Sequence, residues 1–156
     1  MNGHFFISDG YCNARVIEYD ASGKKLHEWG SFGAGPGQFE LVHSIAIGPE
    51  GNVYVADREN GRLQWFDQSG KYLGEWNYGG RFYAVAFGPA GEFYASTQQR
   101  DGTRGELDNV VRIDLASGKI LGKFGVYGHE LGMTQDGTLL PASGGRSQLL
   151  LLKPRS

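Results

Sequence analysis

The feature that most constrains this chain is that it repeats itself. "HSIAIGPEGNVYVAD" (43–57) lines up with "YAVAFGPAGEFYAST" (83–97) and with "HELGMTQDGTLLPAS" (129–143). A second set, "ARVIEYDASGKKLHEWG" (14–30), "GRLQWFDQSGKYLGEWN" (61–77) and "NVVRIDLASGKILGKFG" (109–125), recurs beside the first. The spacing within the sets is 40–48 residues. A unit of that size cannot bury its apolar face alone and must stack on its neighbours.

Each unit predicts four short strands. "SIAI" and "NVYV" alternate apolar with small or polar residues, the period of a half-buried strand. The turns "PEG", "PAG" and "QDG" join the first strand to the second, and the "SGK" turns join the third to the fourth. No segment carries an apolar stripe at helical spacing. Gly is 26 of 156 residues and Pro only 5, with 8 Tyr, 9 Phe and 3 Trp, which suits strands and tight turns rather than disorder. Four-stranded units of about 40–45 residues are the signature of a β-propeller blade.

The units run approximately over 1–30, 42–77, 82–125 and 128–156. The first starts at its second strand, "HFFIS", and the last stops after its third, "QLLLLKPRS". The sequence therefore predicts an all-β chain of about three and a half blades. Rings usually close with four to eight blades. Two readings stay open: the C-terminal part of a longer propeller, or a chain that closes by pairing with another copy. Met1 set directly against a strand favours the first. Unpaired edges predict self-association of the isolated chain.

Several function classes are disfavoured. Net charge is −2 and the basic residues are scattered, so neither nucleic acid nor an anionic membrane is an expected partner. No apolar run approaches the roughly 18–20 residues of a membrane span. "MNGHFFISDG" lacks the basic region and apolar core of a leader, and the compartment stays open: extracytoplasmic or secreted if a longer protein carries a leader. Cys12 is the single cysteine, which excludes an internal disulfide, and without a CxxC partner it is no redox centre. "GAGPGQF" (33–39) is followed by no helix, so it is not a phosphate loop.

Repeats separate scaffold from function, because scaffold recurs. The first residue of the innermost strand does not recur: it is His43, then Tyr83, then His129. In a propeller that position lies at one mouth of the central channel. Imidazoles there on alternate blades face a common axis and could hold zinc or a similar ion; equally, each could be a satisfied surface residue. In the turn after the second strand, Asp9 and Arg15 match Asp57 and Arg62, which points to structure: an acid–base pair or a turn cap. Tyr11 and Arg58 in the same turns are not shared. A tyrosine can move a proton beside a cation, and an arginine can clamp a carboxylate, though each of these too could be an ordinary surface residue.

"SDGYCNARV", "PGQF", "HSIA", "VADRENGR" and, more faintly, "GHE" before "DGT" resemble the NHL-repeat lyase domain of peptidylglycine alpha-amidating monooxygenase and its bacterial relatives, over nearly the whole chain. The resemblance implies a six-bladed propeller holding zinc on three histidines. It also implies cleavage of a peptide ending in α-hydroxyglycine to the peptide amide and glyoxylate. Carried onto this sequence, His43 and His129 match two zinc ligands, Tyr11 the base and Arg58 an active-site arginine. Glu130 falls where the family has an aspartate associated with a structural calcium. The third histidine belongs to a part of the family with no match here, so this chain alone is expected to be a weak enzyme at best. His4 aligns with scaffold. Cys12 matches a cysteine that is disulfide-bonded in animal members, and a second family cysteine pair aligns with Tyr54 and Trp65. The competing reading is a non-catalytic NHL propeller that binds a protein or carbohydrate, motivated by the missing ligand and by aromatic turns such as "EWNYGGRFY" (75–83).

Overall fold

The computed structural model describes residues 3–98, 109–126, 128–143, 148–149 and 151–153. Among them there is no helix. The strands are β1 (Phe5–Asp9), β2 (Arg15–Tyr19), β3 (Lys25–Trp29), β4 (Ser31–Phe32), β5 (Gln38–Phe39), β6 (Val42–Ile47), β7 (Val53–Asp57), β8 (Arg62–Phe66), β9 (Tyr72–Asn77), β10 (Arg81–Phe87), β11 (Phe93–Gln98), β12 (Asn109–Ile113), β13 (Ile120–Phe124), β14 (Glu130–Met133), β15 (Leu139–Ser143) and β16 (Gln148–Leu149). They form meandering antiparallel sheets β1-β2-β3, β6-β7-β8-β9, β10-β11-β12-β13 and β14-β15-β16. These are the three, four, four and three strands that the repeats lead one to expect, a partial β-propeller. Not foreseen was a small parallel sheet, β4 with β5, pairing Phe32 with Phe39. Most of the long turn of the third unit (96–109) lies outside the described residues.

Each blade packs one face on the next. Val16, Phe39, Val42, Val53, Val55 and Phe66 form the core between the first and second sheets. Tyr54, Ala56, Leu63, Phe82, Val85, Phe93, Ala95, Val111 and Ile113 form the core between the second and third. Phe39, Phe66, Phe82 and Phe93 are fully buried, each stabilising the stack by about 1.5–3 kcal/mol relative to exposure. Tyr54 and Trp65 are direct cross-strand partners with stacked rings, so an aromatic pair occupies the place the family resemblance assigns to a cysteine pair. On the other side of the first sheet, Phe5, Ile7 and Leu26 stay exposed.

The recurring turns are held by their acids. Asp67 accepts hydrogen bonds from the Ser69 hydroxyl and amide and from the Lys71 amide. Asp20 does the same with Ser22 and Lys24, and Asp114 with Ser117. The glycine that closes each turn has positive φ: 84° at Gly23, 82° at Gly70 and 70° at Gly118. Only a residue without Cβ takes that conformation at little cost.

The Asp57–Arg62 pair is buried structure. Asp57 is fully buried and Arg62 nearly so. Arg62 donates to Asp57, Glu75 and the carbonyls of Ala34, Gly35 and Gln38, pinning the glycine-rich loop to the second blade. Its counterpart Arg15 pairs with Asp9 at 2.9 Å nearer the surface.

Candidate functional site

The inner strands of the second and third blades share an irregularity. The β6–β7 register slips between Val42 and Ser44, and the β10–β11 register slips between Phe82 and Ala84. The extra residues are His43 and Tyr83. A β-bulge leaves its added residue outside the ladder and re-aims its side chain. His129 stands just before β14, with its amide donating to the Ala142 carbonyl at 2.7 Å. The three rings gather in consequence. Centroids lie 4.8 Å apart for His43 and His129, 5.1 Å for His43 and Tyr83, and 5.1 Å for Tyr83 and His129.

Tyr11 reaches this cluster from the first blade because of Gly10. A Cβ on Gly10 would lie 2.0 Å from the Val42 carbonyl oxygen, so only glycine lets this turn rest on the second blade. The Tyr11 hydroxyl then stands 3.2 Å from His43 Nε2. Arg58 Nη1 donates to that hydroxyl at 3.4 Å, and its guanidinium covers the Tyr83 ring at 4.8 Å. Arg58 Nε is buried in an ion pair with Glu59 Oε1 at 2.9 Å. The Arg58 amide donates to the carbonyl of Leu41, whose φ of 74° is the only positive value at a non-glycine among the described residues. Such strain costs of order 1–3 kcal/mol and clusters at functional positions.

The histidine tautomers follow from their partners. His43 Nδ1 is 2.6 Å from the Tyr83 carbonyl oxygen, which can only accept. Nδ1 therefore carries the proton and, in the neutral ring, Nε2 offers a lone pair. Burial, the largest influence, pushes the His43 imidazole below its ordinary range. The bond to Tyr83 opposes this, while His129 and Arg58 reinforce it. His43 is therefore neutral at pH 7, with Tyr11 O–H the donor to Nε2. His129 Nδ1 faces Glu130 Oε1 at 3.2 Å, the carboxylate–histidine relation that orients many metal ligands.

The His43 and His129 rings lie edge to face, 4.8 Å apart, near enough that both could reach one ion. The pair offers two ligands: among the described residues no group of three or more His, Cys, Asp or Glu could hold an ion. Glu130 is exposed and pairs with His129. The other two histidines lie elsewhere: Glu18 takes His4 Nδ1 at 2.6 Å and His27 Nδ1 at 2.7 Å. Cys12 is a free, exposed thiol.

Sequence reasoning placed Tyr83 at the mouth but missed its work there, with its carbonyl fixing His43 and its ring lying against both histidines. Its position in the repeat was the available signal.

The NHL repeat family model matches residues 39–66, the stretch that carries His43 and Arg58. Residues 39–66 are an NHL repeat. The surrounding chain is 32% identical over 152 residues to peptidyl-glycine alpha-amidating monooxygenase of Mus musculus, covering 88% of this chain and 15% of that protein. It is 35% identical over 102 residues to peptidyl-alpha-hydroxyglycine alpha-amidating lyase 1 of Drosophila melanogaster, covering 57% of this chain and 19% of that one. The chain thus spans under a fifth of the length of either relative. The WD40 β-propeller domain of Doa1 superposes with a TM-score of 0.67 at 12% identity, over 99% of this chain and 48% of that domain, a likeness of fold alone. The NHL repeat and the resemblance to the amidating lyases are both borne out by these relatives.

Proposed function

We propose that this chain carries part of a zinc-dependent peptidylamidoglycolate lyase site, which cleaves a peptidyl-α-hydroxyglycine to the peptide amide and glyoxylate. The observation that carries the reading is the meeting of Tyr11, His43 and Arg58 from successive repeats at 3.2 and 3.4 Å. The names of the relatives point the same way.

His43 and His129 would hold the ion through the ring nitrogens that their backbone and carboxylate partners leave unprotonated. Bound there, zinc supplies Lewis acidity toward the substrate's oxygens. Tyr11 would take the proton of the α-hydroxyl. The oxygen's electrons then form the aldehyde carbonyl as the carbon–nitrogen bond breaks, and the amide nitrogen picks up a proton, so one proton moves from oxygen to nitrogen overall. Arg58 stands against the Tyr11 oxygen and stabilises negative charge on it. Its guanidinium would also pair with the carboxylate of departing glyoxylate.

The test is glyoxylate release from a peptide ending in α-hydroxyglycine, with the chain at high concentration and zinc added. Slow release that a chelator stops is expected. No release above the zinc-only background contradicts the reading.

A further inference from the structure

A groove of about 590 Å³ opens beside Tyr11. Its walls include Tyr11, Cys12, Phe32, Glu40, Leu41 and Glu59. Because Tyr11 is both its wall and the neighbour of His43, a chain reacting at His43 has this groove as the adjoining space for its body.

The chemistry of the walls is uneven. Phe32 is 74% exposed, an apolar ring facing solvent. It is the register partner of Phe39, and Phe32 and Glu40 both line the groove. The other carboxylates of the groove are engaged: Glu28 with Arg15 and Lys25, and Glu59 with Arg81. Arg15, the groove's cation, is taken by Asp9 and Glu28. Glu40 spends its backbone amide on Asp57, and its carboxylate makes no ion pair among the described residues. An exposed aromatic ring and an unpaired carboxylate lining one groove suit a long side chain with an apolar stem and a cationic head.

We infer that this groove binds the peptide body preceding the reacting residue and selects Lys or Arg there, with the stem on Phe32 and the cation at Glu40. The inference rests on the lyase reading for the identity of the reacting end. The discrimination expected at an exposed pair is about three- to ten-fold.

Tetrapeptides ending in ordinary glycine cannot react and serve as probes. Their binding to the 156-residue chain is measured by calorimetry at low salt, with Lys-Lys, Ala-Ala or Glu-Glu before the glycine. The Lys peptide is expected to bind three- to ten-fold more tightly than the Ala peptide and the Glu peptide more weakly than either. Glu40→Gln should bring the Lys-to-Ala ratio to one. No binding, equal affinities, or a Lys preference that survives Glu40→Gln overturns the inference. Glyoxylate release without side-chain preference would overturn the groove and spare the lyase reading. A Glu40-dependent Lys preference without glyoxylate release would do the reverse.

Discussion

Tyr11 Oη stands 3.2 Å from His43 Nε2, joining two residues 32 positions apart in the chain and one blade apart in the fold. Tyr11 is 72% exposed, so little of the fold rests on it. Tyr11→Phe is expected to leave stability within about 0.5 kcal/mol of the parent and to lower glyoxylate release by about 10²–10⁴-fold. A urea melt beside the activity assay checks both.

Gly10→Ala reaches the same hydroxyl through the backbone. The new methyl would lie 2.0 Å from the Val42 carbonyl oxygen, so the turn must lift away. Stability should fall by about 1–3 kcal/mol, and the NMR cross-peak between the Tyr11 and His43 rings should vanish. A structural role alone would cost stability and keep that cross-peak.

Arg62→Ala strips a buried carboxylate of its cation and frees the carbonyls of residues 34, 35 and 38. Breaking such a buried pair costs about 3–5 kcal/mol. Thermal unfolding should fall accordingly, and Arg62→Lys should recover only part, since an ammonium cannot span the same acceptors.

The aspartates of the recurring turns give stability an acid limit. Hydrogen bonds from Ser22, Ser69 and Ser117 hold Asp20, Asp67 and Asp114 below the usual carboxylate value. A carboxylate whose folded pKa is depressed stabilises fully above its unfolded pKa and loses that contribution as pH falls through the folded one. Their share should therefore be intact at pH 6 and decline below about pH 4. Asp67→Asn should flatten that decline in denaturant melts taken across the range, while leaving the slope near neutrality unchanged.

Much of the fold was legible because it is written more than once. The strand count follows from the repeats, and the recurrence of Asp57 and Arg62 marked them as scaffold before their burial was known. The gathering of His43, Tyr83 and His129 followed from their equivalent positions. What could not be read was how they gather. The bulges at His43 and Tyr83 depend on register against the next strand, and one extra residue leaves no mark in an apolar pattern. The close approach at Gly10 depends on a neighbouring blade, so its glycine looked like any turn glycine. The parallel pairing of β4 with β5 likewise joins segments too short to show a period.

On the proposed reading, His43 and His129, and not the other two histidines, hold zinc. The chain provides its own control, because His4 and His27 sit together at Glu18. Zinc titration followed through the histidine side-chain resonances tests it directly. His43 and His129 should shift together and saturate at one equivalent while His4 and His27 stay in place. Shifts that begin at His4 and His27, or none at His43 and His129, would contradict it.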